Sequence, residues 1–297
     1  MKLRTLGKTG YEISPVVYGG VISMKDGQNA SDRYVAWAIE RGVNYFDVAP
    51  SYGDAEEKLG PSLEPYRKNV YLACKTMERL RVNAEKELSR SMELLKTDYF
   101  DVYQMHALTT PQDVELAFGP GGVMELLRDL KEKGVIRKVG ITAHSETAAL
   151  NCLSMYPFDT VMFPTNWMLH MGQGIATQMK TAKEDQSFGY LGIKALVERA
   201  WQEGDDRTGG NPKSWCKPID AGAEALRIAA MKYALQRLGP DVLVPPGNFE
   251  CLSFMVEHVD ACFSTPLDTR EEALLKDHYE TVKDAPFFQK NNGDWPE

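Results

Sequence analysis

Basic residues are in short supply in this chain: 34 Lys and Arg face 42 Asp and Glu, leaving a formal net charge of -8 at pH 7. Nucleic acids and anionic membranes are recognised by a basic field, so both are excluded as partners, which leaves small molecules. Cysteine is also scarce. The five thiols, at positions 74, 152, 216, 251 and 262, are odd in number and never spaced Cys-x-x-Cys. That pattern excludes a disulfide framework and a zinc or iron-sulfur centre, so no metal is expected and the thiols read as reduced. No apolar run approaches the ~20 residues that a bilayer-crossing helix needs, and no apolar segment follows the charges of Lys2 and Arg4. A cytoplasmic protein is the expectation. Ser-, Gly- or Pro-rich linkers and short repeats are missing too, so residues 1–297 read as a single domain.

What is present is a regular alternation. Short apolar, β-branched runs recur at Val16–Gly19, Tyr45–Val48, Val70–Lys75, Asp101–Met105, Lys138–Thr142, Thr160–Phe163, Tyr190–Lys194 and Val242–Val244. The segments between them carry helical periodicity. Val123, Leu126, Leu127 and Leu130 line one face while Glu125, Asp129 and Lys133 face away, with Gly134 as the stop. The segment Asp32–Arg41 repeats the pattern through Tyr34, Val35, Ala38 and Ile39. Eight strands alternating with helices predict an α/β fold, a (β/α)8 TIM barrel. Leu3–Pro15, with Lys8-Thr9-Gly10 between two extended runs, predicts an N-terminal β-hairpin that plugs one end. The longest irregular stretch, Glu203–Lys217, contains Gly204, Gly209, Gly210, Pro212 and Trp215 and follows the seventh strand. In a barrel such a loop lies at the C-terminal face, where function is carried.

Buried parallel strands are nearly continuous apolar runs, so a charged residue that closes one requires a reason. Asp47, Lys75 and His106 close or nearly close three successive strands, and Tyr52 follows Asp47 by one turn. Singly, each has a structural reading: a turn former, a snorkelling strand end, a hydrogen-bonded core histidine. Together at one mouth they form a proton relay. A free phenol titrates near ~10, so a neighbouring ammonium is expected to lower Tyr52, with Asp47 keeping Lys75 charged. Tyr52 is then placed to protonate a carbonyl oxygen, and a neutral His106 to orient that oxygen.

The segment Phe46-Asp47-Val48-Ala49-Pro50-Ser51-Tyr52-Gly53 resembles the Phe-Asp-Thr-Ala-x-x-Tyr-Gly signature of the aldo-keto reductases, and Lys75 and His106 fall where that family keeps its other two catalytic residues. The similarity continues through Gly134–Ile141 and Val244–Gly247. In Gly192–Leu196 it follows the branch with a lysine in the strand-seven motif, without that branch's C-terminal cysteine cluster. The resemblance implies a nicotinamide cofactor, NAD(P)H, and reversible interconversion of a small-molecule carbonyl and its alcohol. It places Gly20, Thr142, His144, Asn166, Ile193, Lys194, Gly247, Asn248, Glu257 and His258 at the cofactor. Where the family commonly has Ser-Asn-His the chain has Thr142-Ala143-His144, and the usual strand-six glutamine is Met162, so Thr142, His144 and Asn166 are expected to substitute in holding the carboxamide. Among the aromatics that could line the mouth (Tyr18, Trp167, Trp201 and Trp215), Trp167 directly follows a strand and is expected to face substrate. NADPH is the family default. The stretch from Pro240 to Thr269 nevertheless has no Lys or Arg, while Glu250, Glu257 and Asp260 lie in it, which favours NADH unless Arg199 or Arg207 reaches over. Two alternatives remain at this level: a Schiff-base enzyme of aldolase type using Lys75, and a cofactor-binding regulatory module with slow turnover.

Overall fold

The computed structural model describes residues 1–208 and 212–288; Gly209 and Gly210 of the irregular stretch lie outside the described residues. The chain opens with a hairpin, β1 (Arg4–Thr5) and β2 (Glu12–Ile13), antiparallel across the short helix Gly7–Thr9. Eight barrel strands follow: β3 (Tyr18–Gly19), β4 (Tyr45–Asp47), β5 (Tyr71–Thr76), β6 (Phe100–Leu108), β7 (Ile136–Ala143), β8 (Thr160–Pro164), β9 (Gly189–Ile193) and, after an inserted pair, β12 (Val242–Val244). The pair is β10 (Val197–Arg199) with β11 (Lys217–Pro218). All eight barrel strands run parallel in the order β12-β9-β8-β7-β6-β5-β4-β3. A parallel bridge between Val16 and Leu243 joins the two edges, so the sheet closes on itself.

The expected strands and hairpin are therefore present. Leu6 and Ile13 of the hairpin, both without exposure, enter the inner cluster formed by Tyr45, Ala73, Val102, Met162, Leu191 and Val242. They fill the end of the barrel at which β9 begins. Gly7, at φ +46°, passes so close that a Cβ there would lie 2.3 Å from the Phe188 carbonyl carbon, which is why no larger residue fits this corner. Outside the sheet, the helix Val123–Glu132 buries Val123, Met124, Leu126, Leu127 and Leu130 and is stopped by Gly134 at φ +73°. The helix Gln28–Glu40 begins earlier than its apolar period announced. Its first turn is polar and is tied down by Gln28 Nε2, which donates to the Lys58 carbonyl and Ser62 Oγ at 3.0 and 2.9 Å. The stretch read as irregular is closed at its base by the β10–β11 pair, a contact between residues too far apart in sequence for local pattern to reveal. No helix among the described residues is long and apolar enough to cross a membrane.

Candidate active site

Side chains alternate across a strand, and three strands use this to lift polar groups to the mouth. Tyr45, Ala73 and Val102 belong to the inner cluster. Two residues further on, the same face carries Asp47, Lys75 and Gln104, and two beyond Gln104 comes His106. Tyr52 is delivered by the turn after β4, where its amide donates to the Ala49 carbonyl at 3.0 Å before the helix Ala55–Leu63 begins. The four residues expected at one mouth are brought together.

Lys75 is wholly buried, and its Nζ donates to Asp47 Oδ2 at 2.5 Å, to the Tyr52 hydroxyl at 3.2 Å and to the Val48 carbonyl at 3.4 Å. Burial opposes the ammonium, but the Asp47 carboxylate and the Tyr52 oxygen outweigh it and hold Lys75 above its ordinary range. Gln104 Nε2 donates to Asp47 Oδ1 at 3.0 Å, so both carboxylate oxygens are engaged. His106 meets Tyr52 edge to face at 5.7 Å, with Nδ1 3.4 Å from Ser51 Oγ. Its imidazole is pushed well below its usual pKa by burial and then by Lys75, His144 and Arg79, so it is neutral near pH 7.

The phenol departs from expectation. Lys75 does pull Tyr52 down, but burial is the larger influence and Asp47 adds to it, so Tyr52 lies above its ordinary value rather than below. In the protein without ligand, Tyr52 is a protonated acid.

The cavity above this group is lined by Tyr52, His106, Thr142, His144, Ile193 and Lys194 and by the strap Lys213–Cys216, with Val244–Gly247 on the far side. Thr142, His144, Ile193, Lys194 and Gly247 thus border one cavity above Tyr52. His144 is neutral, its pKa lowered to about 3 by burial and by Lys194. No side-chain hydrogen bond of His144 and no carboxylate partner of Lys194 occurs among the described residues; the Lys194 ammonium lies among the rings of Trp215, Phe287 and Phe288 at 6.0, 5.8 and 5.2 Å. Gly247 runs beneath the strap, where a Cβ would meet Val21 Cγ1 at 2.4 Å and the Lys213 carbonyl at 3.2 Å.

Other assignments change. Trp167 does not face substrate: it is fully buried and packs on His278 at 5.8 Å, because the helix Trp167–Gln173 turns its first residue into the core. Trp215, 55% exposed and edge-on to Tyr52 at 6.4 Å, is the tryptophan at the mouth. Asn166 is committed to the scaffold. Its Nδ2 donates to the Lys194 and Val197 carbonyls at 2.8 and 2.7 Å, and its Oδ1 accepts from the Leu169 amide at 3.0 Å. Gly20 packs against Val48 rather than bordering the cavity, a place taken by Gly19. Asn248 is buried just ahead of the helix Phe249–Ser264; Glu257 and His258 lie in its third turn, and none of the three lines the cavity. Glu250 is not uncompensated: the buried Arg227, from the helix Glu224–Tyr233, pairs with both its oxygens at 2.6 and 3.0 Å. Arg199 is held by Asp205 at 2.6 and 2.7 Å, and Arg207 donates to the Ser214 carbonyl at 3.4 Å. Arg227 and Gln104 carried no local signal, being one arginine in an amphipathic helix and one glutamine in an apolar strand.

The profile of the Aldo/keto reductase family matches residues 19–179. An uncharacterized oxidoreductase of Bacillus subtilis (strain 168), YqkF, is 31% identical over 157 residues, covering 48% of this chain and 49% of that protein, so the alignment spans about half of either. A second protein of the same organism, aldo-keto reductase YhdN, is 26% identical over 85% of this chain and 88% of its own length. Among solved structures, aldo-keto reductase AKR11C1 from Bacillus halodurans in its holo form superposes with a TM-score of 0.70 at 20% identity, over 97% of this chain and 98% of that one, a likeness of fold.

Proposed function

From the premise that the chain belongs to the aldo/keto reductase family and is an enzyme of that type, an NAD(P)-dependent oxidoreductase, we propose that it interconverts an aldehyde, ketone or sugar carbonyl with its alcohol, Tyr52 acting as proton donor. The observation that carries this reading is the Lys75 ammonium joining Asp47 and the Tyr52 hydroxyl at the barrel mouth. Tyr52 gives its proton to the carbonyl oxygen on reduction and recovers it from the alcohol on oxidation. His106, neutral, donates a ring N–H to the same oxygen and fixes its position. Lys75 shares the charge that develops on the phenol oxygen, and Asp47 keeps that lysine an ammonium. The same ammonium argues against a Schiff-base role, which needs a free amine.

The donor set fits a nicotinamide dinucleotide. Lys194 offers an ammonium without a carboxylate partner among the described residues, and His144 a neutral imidazole without a side-chain hydrogen bond there. Ile193, Val244 and Pro245 offer an apolar wall. When bound, the reduced cofactor supplies the hydride. We place the pyrophosphate at Lys194 and the carboxamide near Thr142 and His144. NADH serves at least as well as NADPH on this reading, because Arg227, Arg199 and Arg207 are already engaged within the protein. The described residues act as one catalytic unit: Gln173 Nε2 donates to the Phe288 carbonyl at 2.9 Å and the Ala200 amide to that of Ala285 at 2.9 Å, which holds the Phe287 and Phe288 rings beside Lys194. The five buried, unpaired thiols suit a reducing, cytoplasmic setting.

The test is fluorescence titration with NADH and NADPH, followed by turnover on a panel of aldoses, aliphatic and aromatic aldehydes, and ketones. Cofactor binding without turnover on any of them would favour the regulatory reading instead.

A further inference from the structure

The end of β6 is not a regular strand. Its pairing with β7 shifts register between Met105 and Leu108, and Ala107 sits at φ +53°, in the left-handed region that strains a residue with a Cβ. This irregularity directly follows His106. Something must hold it, because a one-residue slip here would turn the imidazole to the other side of the sheet.

One side chain grips the bend. Arg79 stands three residues past the end of β5, its side chain only 10% exposed. Its Nη2 donates to the carbonyls of His106 and Ala107 at 2.8 and 3.2 Å, and its Nη1 to the Met77 carbonyl at 3.0 Å. Its Nε donates to Asp113 Oδ1 at 2.9 Å. Asp113 is fixed in turn, since its Oδ2 accepts from the amides of Thr109 and Thr110 at 2.9 and 3.1 Å. On the opposite side of the bend, Thr142 Oγ1 accepts from the Ala107 amide at 2.8 Å. Both peptide groups flanking His106 on its C-terminal side are therefore clamped, the two carbonyls by the Arg79 guanidinium from the loop after β5 and the amide by Thr142 of β7. A lysine could not reproduce this, having no rigid fork.

We propose that Arg79 is a positioning residue of the reaction, clamping the backbone of His106 and Ala107 so that the imidazole is aimed at the substrate oxygen. The proposal rests on the reading of His106 as the donor that orients this oxygen. An imidazole displaced by ~1 Å forfeits up to about a hundredfold in rate while leaving the cofactor wall untouched.

The test uses the full-length protein with NADH and 4-nitrobenzaldehyde, in wild type, R79M, R79K, H106A and the double variant R79M/H106A. R79M is expected to lower kcat about ten- to a hundredfold with the dissociation constant for NADH within twofold, and R79K to fall between R79M and wild type. The double variant should be no slower than H106A alone, because Arg79 acts through the imidazole. Losses that multiply would overturn the proposal, as would an R79M that turns over normally. The histidine ring signals in ¹⁵N NMR give a second readout, the His106 signal being assigned by its disappearance in H106A. R79M or R79K, folded by its thermal transition, should shift that signal while those of His170 and His258 stay in place; an unmoved His106 signal would overturn the clamp. Should H106A itself turn over normally, the role of His106 fails, and the NMR result still decides whether Arg79 positions it.

Discussion

The Lys75 ammonium lies 3.2 Å from the Tyr52 hydroxyl, yet the phenol remains above its ordinary pKa because burial outweighs that single positive charge. A pH dependence follows with a definite sign. The donor is competent while protonated, so carbonyl reduction should run undiminished from neutral pH into the alkaline range, falling only as pH passes a phenol value above ~10. Alcohol oxidation needs the deprotonated form and should climb with pH across the same interval. Steady-state rates in both directions from pH 6 to 10 check this. An oxidation rate that levels off near pH 7 would show a phenol depressed rather than raised.

Removing the phenol oxygen removes the proton source and little else. Tyr52→Phe should cost about a hundredfold or more in turnover, with the dissociation constants for NADH and NADPH within about twofold of wild type. Near-normal turnover would sink the assignment of Tyr52. Lys75→Met should lose comparably and move the oxidation profile still further alkaline, since the phenol then keeps its burial and loses its nearest positive charge.

Asp47 has two carboxylate oxygens and two buried donors, one of which is Gln104. Gln104→Leu leaves the buried Oδ1 without that bond and should cost about 1 to 3 kcal/mol of stability, read by denaturant unfolding monitored through circular dichroism. An unchanged unfolding midpoint would mean that the Gln104–Asp47 contact contributes nothing.

The cofactor preference turns on arginines that are already occupied. Arg227 is engaged by Glu250 and Arg199 by Asp205, and no Lys or Arg lies between Pro240 and Thr269. A charge-assisted contact to a 2′-phosphate contributes about 1.5 to 3 kcal/mol, so its absence should leave NADH equal to or better than NADPH in direct titration. An NADPH preference above about tenfold, ~1.4 kcal/mol, would show that one of these two, or Arg207 now on the Ser214 carbonyl, leaves its present partner to grip the phosphate. Arg199→Ala, Arg207→Ala and Arg227→Ala would identify which.

The eight strands were legible in the sequence because a strand buried on both faces must be apolar along its length, and eight such runs stand out against amphipathic helices. Asp47, Lys75 and His106 were legible for the complementary reason: a charge closing an apolar run is costly unless the mouth gives it a partner. Tyr52 followed from its neighbours in one segment. Only the tertiary structure decided what depends on pairing across distance or on depth. Gln104 reached Asp47 from 57 residues away, Arg79 reached His106 from 27, and Glu250 found Arg227 on another helix. Trp167 and Trp215 are the same residue type near the same mouth, and the direction of one helix sent the first into the core while the strap left the second exposed. The sign of the Tyr52 shift belongs with these. A sequence supplies the lysine that lowers the phenol, but the water excluded around it, which raises it more, is a property of the folded barrel.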